Sequence, residues 1–154
     1  MNSHINKNHN PTMVDISKKN STIRFAKAEG SISFDKTIFK KIQNLQTKKG
    51  SLENIAILAG IVGAKETSRI IPLCHNIPIN SVNIEIKKNI KKHCLNVIAE
   101  VKTNAMTGVE MEALVAVSIS CLTIYDMCKF LSKKIEIKNI KLISKSGGKS
   151  DFKR

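Results

Sequence analysis

Four short stretches of this chain set reactive polar side chains against apolar runs. In IPLCH (71–75), Pro72 fixes a turn and offers Cys74 and His75, a thiol and an imidazole, between a helix and a strand. In TGVEME (107–112), Gly108 opens a helix whose free N–H groups favour an anion, and where a glutamate also serves as a cap. In LTIYDMCK (122–129), Asp126 and Lys129 stand three residues apart on one helix face, spaced for an ion pair. Residues 114–124 before them hold no charge, so the pair borders apolar surface. A carboxylate and an ammonium held there suit general acid and base work. In LISKSGGKS (142–150), Lys145 and Lys149 flank two glycines, a loop suited to phosphate through backbone N–H groups and point charges. It does not fit the GxxxxGK[ST] frame of nucleotide-binding P-loops. Cys74–His75 and His93–Cys94 are adjacent rather than spaced two to four apart, so a zinc site is not expected.

Helix geometry constrains these candidates. Glu112 and Asp126 lie 14 positions apart, within roughly 40° of one face but about 21 Å apart along the axis. One compact site in one subunit does not hold both. Antiparallel packing of this helix against its copy would bring the Glu112 end of one chain to the Asp126 end of the other. The helix is too apolar to face water, which favours such a shared site.

The elements that position these groups can be read from periodicity. Residues 23–34 alternate and predict a strand bent at Gly30. Asp35 caps a helix reaching Asn44 or Gln46, with Ile38, Phe39, Ile42 and Leu45 on one stripe. Residues 48–51 form a loop. Ser51 caps a second helix extending to about Arg69. Gly60 and Gly63 within it imply close approach of another backbone. Residues 82–86 and 95–101 alternate around a polar connection and predict a hairpin. The longest helix covers 109–132, residues 135–143 form a last strand, and 145–154 are a polar tail. The order β-α-α-β-β-α-β is that of a ferredoxin-like α+β sandwich, an antiparallel sheet with helices on one face. Residues 1–20, rich in Asn, Lys, Ser and His, read as a flexible N-terminal tail, and 21–154 as a single domain.

Composition narrows the function. The 154 residues are 42% apolar, enough for a core, and carry 26 Lys+Arg against 12 Asp+Glu, a net charge of +14. Of the 26, 23 are Lys and 3 are Arg; Ile also numbers 23 and Asn 14. Lys, Ile and Asn enriched together point to a composition bias more than to an anionic partner. Aromatic residues make up 4%, with no Trp, too few to stack bases, which argues against a nucleic-acid partner. The longest apolar run, 55–64, falls short of the ~20 residues that span a bilayer. The N-terminus has no apolar signal region, so the expected location is the cytoplasm. Four cysteines without a CxxC pair argue against a disulfide framework.

The motifs at 13–17 (MVDIS), 71–75, 107–114, 122–129 and 142–150 occur together and in order. In this the chain strongly resembles the cyclic pyranopterin monophosphate synthase family of molybdenum cofactor biosynthesis, from about Met13 to Phe152. The resemblance implies a ferredoxin-like fold and a homohexamer built as a trimer of dimers, with active sites at subunit interfaces. It implies a lyase that turns 3′,8-cyclo-7,8-dihydro-GTP into cyclic pyranopterin monophosphate and pyrophosphate. Carried over by motif, Asp126 is the catalytic carboxylate and Lys129 its proton-transfer partner. Leu73, Cys74, His75, Met111 and Glu112 line the substrate pocket, and Lys145 and Lys149 meet the triphosphate. Cys74 is expected to line the pocket rather than act as a nucleophile. No metal site or resident cofactor is implied, although Mg²⁺ can accompany the triphosphate. The chain departs from the family at Ser51, Glu66 and Asn76, and lacks a Gly between Ser150 and Asp151. Glu66 stands where a basic residue is common, and would repel a triphosphate placed there.

Overall fold

The alternating segments form one antiparallel sheet in a computed structural model, which describes residues 4–42, 46–47 and 50–154. In chain order the elements are β1 (Thr22–Ser33), α1 (Lys36–Ile42), β2 (Gln46–Thr47), β3 (Gly50–Ser51), α2 (Leu52–Lys65), α3 (Thr67–Ile70), β4 (Ser81–Asn89), β5 (Cys94–Ala105), α4 (Glu110–Cys128), β6 (Glu136–Ser146) and β7 (Phe152–Lys153). The sheet runs β4-β5-β1-β6-β7, and β2 pairs with β3 in a separate two-residue ladder. The expected α+β ferredoxin-like order is present, with β2, β3, α3 and β7 as additions too short for periodicity to reveal.

Alternation decides which face is buried. Ala26, Ala28 and Ile32 of β1, with Leu95, Val97, Ala99 and Val101 of β5, turn inward. Each larger side chain removed from water contributes about 1.5–3 kcal/mol. Helix α4 packs across β1, β5 and β6, while α2 lies against α4 and β4. Helix α4 is long and apolar enough to cross a membrane by length and composition. Here it is the central core helix, with Ala113, Ala116, Val117, Cys121 and Ile124 fully buried. The close approach expected at Gly60 is present: a Cβ there would lie 2.2 Å from Ser120 Oγ and 2.8 Å from the Ala116 carbonyl. Ser120 Oγ donates to the Ala56 carbonyl at 2.9 Å, tying the two helices at that crossing.

Several boundaries differ from the sequence reading. The second helix stops at Lys65 rather than reaching Arg69, and α3 restarts after Glu66. Buried Thr67 donates its hydroxyl back to the Gly63 and Ala64 carbonyls, which stabilises the break. Helix α4 ends at Cys128, four residues early, so Lys129 is its C-cap. Strand β6 continues to Ser146, and β7 folds back to pair with Ser144 and Lys145. Lys145 is therefore a strand residue opposite Ala26, not part of a tail. Gly147 makes the reversal: its φ is +80°, and a Cβ would lie 1.9 Å from the Ile23 carbonyl oxygen. The expected helix end at Asn44, Leu45 on its stripe, and the Lys48–Lys49 part of the loop fall outside the described residues, whereas the alternative end Gln46 lies in β2 and the loop's Gly50–Ser51 form β3. Residues 4–20 carry no helix or named strand, and Val14 and Ile16 are half-buried.

Candidate active site

The turn that Pro72 begins brings Leu73, Cys74 and His75 against the start of α4. Together with Met111 and Glu112 they line a cavity of about 350 Å³. His4, Val14, Ile16 and Lys19 from the N-terminal segment form another wall, with Thr107, Gly108 and Glu110 completing it. His75 Nε2 lies 2.7 Å from the Val14 carbonyl, which can only accept, so Nε2 carries the proton. In the neutral ring Nδ1 is then the acceptor. Glu112 is 4% exposed. Burial, reinforced by the neighbouring charge of Glu110, pushes its carboxyl above the ordinary glutamate value, against the lowering effect of its own backbone N–H. Burial and the Glu112 charge raise the Cys74 thiol as well. A raised thiol is a poor nucleophile at neutral pH, consistent with a lining role.

A second cavity, about 180 Å³, adjoins the first and shares Thr107, Gly108 and Glu110 with it. Its cations are Arg24, Lys145 and Lys149, with Ser146, Gly148 and Ser150 around them. Lys145 Nζ binds Glu110 at 2.9 Å in the wall between the two cavities. Arg24 donates from Nε to the Ala105 carbonyl at 2.8 Å and from Nη2 to the Met106 carbonyl at 3.1 Å, holding the loop before α4. One protomer therefore joins seven of the nine expected site residues: five in the larger cavity, and Lys145 and Lys149 in the smaller.

Asp126 and Lys129 stand apart from these within the protomer. They pair at 2.7 Å at the far end of α4, 70% and 60% exposed, and line neither cavity. The hydrogen bond and charge of Asp126 raise the Lys129 ammonium above its ordinary value. Leu122, one turn before Asp126, is also exposed, as are Leu58 and Val62 of α2. Glu66 lines neither cavity and pairs instead with Arg69 at 3.1 Å. Among the described residues, no group of three or more His, Cys, Asp and Glu is placed to hold a metal ion.

Sequence reasoning missed Arg24 and Glu110 as site residues. Arg24 carries a signal: it is one of three arginines in a chain that otherwise uses lysine, and its fork reaches two successive carbonyls as an ammonium would not. Glu110 stands in the stretch that suits an anion or a helix cap, and nothing in its spacing signals its contact with Lys145.

Fold and site define a small-molecule enzyme, with one buried carboxyl, Glu112, and a half-buried imidazole, His75, next to a cationic cradle. Comparison with known proteins gives this class a family. The MoaC family model matches residues 13–148. A cyclic pyranopterin monophosphate synthase of Helicobacter pylori (strain Shi470) is 50% identical over 147 residues, 96% of this chain and 93% of that protein. The synthase of Helicobacter hepaticus is 50% identical over 152 residues, 98% and 96% of the two chains. That of Clostridium acetobutylicum is 47% identical over 152 residues, covering 98% and 94%. The chain belongs to the MoaC family.

Proposed function

We propose that this protein converts 3′,8-cyclo-7,8-dihydro-GTP into cyclic pyranopterin monophosphate and pyrophosphate, a lyase step of molybdenum cofactor biosynthesis. The observation that carries the reading is the pair of adjoining cavities. One offers an imidazole and a buried carboxyl to a purine-derived ring, and the other offers cations to a polyphosphate. Ring opening and pterin closure need several proton transfers. Glu112, whose carboxyl burial pushes above its ordinary value, is suited to donate; His75, with Nε2 held by the Val14 carbonyl, presents Nδ1 to accept. Closing the cyclic phosphate requires a ribose hydroxyl oxygen to attack the α-phosphorus as its bond to pyrophosphate breaks. Lys145 and Lys149 then stabilise the charge on the departing group. Mg²⁺, if present, would arrive with the triphosphate as part of the substrate.

Asp126 and Lys129 enter this reading from a neighbouring protomer. The exposed apolar side chains Leu58, Val62 and Leu122 on the helix layer support contact there with a second copy. The assembly is a hexamer, a trimer of dimers with shared sites, in the cytoplasm.

Purified protein supplied with the cyclised dihydro-GTP should release pterin product and pyrophosphate together. Asp126→Asn and Lys129→Ala should each abolish product without changing the oligomer. Product formation at the wild-type rate by either variant would remove that residue from the mechanism, and no turnover by the wild type would remove the activity.

A further inference from the structure

The Lys145–Glu110 pair lies between the two cavities, and the proposed function gives Glu110 no task. Glu110 lines both of them. A Cβ on Gly108 would fall 1.9 Å from Glu110 Oε2. The carboxylate therefore folds back over a backbone that only glycine leaves open, and from there reaches Lys145 at 2.9 Å. Both side chains are about one-third exposed, 33% and 30%, so the contact is within reach of an entering solute. Of the other cations in this cradle, Arg24 is committed to two carbonyls and Lys149 is exposed. Among the described residues, Lys145 is thus the cation of the cradle that a carboxylate holds. Glu110 also occupies the first turn of α4, where the helix dipole favours negative charge. An internal anion stands where an external one would be attracted.

We propose that Glu110 is a positioning residue that competes with the phosphates of the ligand for Lys145. It holds the ammonium at the wall while the cradle is empty, yields it to an entering polyphosphate, and recaptures it as pyrophosphate leaves. The inference rests on the reading of Lys145 as a phosphate-holding group. Glu110 limits affinity for the released anion, which favours turnover over product retention.

Binding of inorganic pyrophosphate to the full chain, measured by calorimetry, tests this. Glu110→Gln should bind pyrophosphate roughly two- to fivefold more tightly than wild type, the scale of a partly exposed ion pair. It should lower the pyrophosphate inhibition constant in the turnover assay by the same factor. Glu110→Asp, which keeps the charge, should stay within about twofold of wild type. In a Lys145→Ala background, Glu110→Gln should have no effect, because the competition acts through Lys145. A variant that merely disturbed the fold would weaken binding, the opposite sign. Unchanged or weaker binding by Glu110→Gln overturns the inference, and so does equal tightening with and without Lys145. If Lys145→Ala binds as tightly as wild type, the phosphate-holding role fails and the inference with it. If Lys145→Ala weakens binding while Glu110→Gln is neutral, only the inference fails.

Discussion

Glu112 is the residue whose chemistry depends most on its surroundings. Its folded-state pKa lies above the ordinary glutamate value because the charged form is desolvated. Between the two values the folded chain binds more protons than the unfolded one, so stability falls as pH rises through that interval. Thermal melts of the wild type should therefore show a midpoint that declines over it, and Glu112→Gln should flatten the decline. A slope unchanged by the substitution would mean that Glu112 ionises normally. The thiols behave alike: burial lifts Cys121 to about 12 and, with the Glu53 charge, Cys128 to about 11. Both should resist alkylation in the folded protein, and mass spectrometry under native conditions reads this directly. The Asp126–Lys129 contact was legible from i, i+3 spacing. Its exposure was not, since the chargeless run before it suggested surface covered by protein.

At the scale of elements, two glycines decide how the site is held. Gly60 lets α2 lie against α4, and a larger side chain must displace the Ala116 backbone or the Ser120 hydroxyl. Gly60→Val should cost about 1–3 kcal/mol by overpacking, measured in urea. Gly147 carries the reversal from β6 to β7 at a φ that L residues rarely adopt, with Ile23 close behind. Gly147→Ala should cost about 1–2 kcal/mol and weaken pyrophosphate binding, because Lys145 and Lys149 flank that turn. The N-terminal segment is a further case. Removal of residues 1–12 spares the Val14 carbonyl that orients His75, whereas removal of 1–16 takes it away. The shorter deletion also takes His4 from the cavity wall, so the longer one should lower kcat at saturating substrate further than the shorter one does. The glycine spacing announced the helix contact in the sequence. The docking of 13–16 left no periodic signal, since its key bond comes from a backbone carbonyl and not from a side chain.

At the scale of the whole molecule, the helix layer presents exposed apolar side chains. Leu58, Val62 and Leu122 are more than half exposed in a single protomer. The shared site proposed above places a second chain over them. Leu122→Glu should break the assembly and abolish turnover while leaving each protomer folded, with sedimentation and circular dichroism as the measurements. A variant that stays assembled would move the interface elsewhere.

Period-2 alternation, apolar helical stripes and turn residues were enough to determine the ferredoxin-like order, because local geometry forces side chains inward or outward before any long-range contact forms. The ordered motifs were enough to place the chain in its family. Tertiary structure alone decided where β6 ends, that Lys145 is a strand residue, and that Glu110 reaches it across Gly108. It also decided that Val14 holds His75 and that the Asp126–Lys129 pair is exposed within one chain. These depend on pairs distant in sequence, such as residues 14 and 75 or 110 and 145. Their proximity is set by packing α4 against β1, β5 and β6, and periodicity carries no record of such distances.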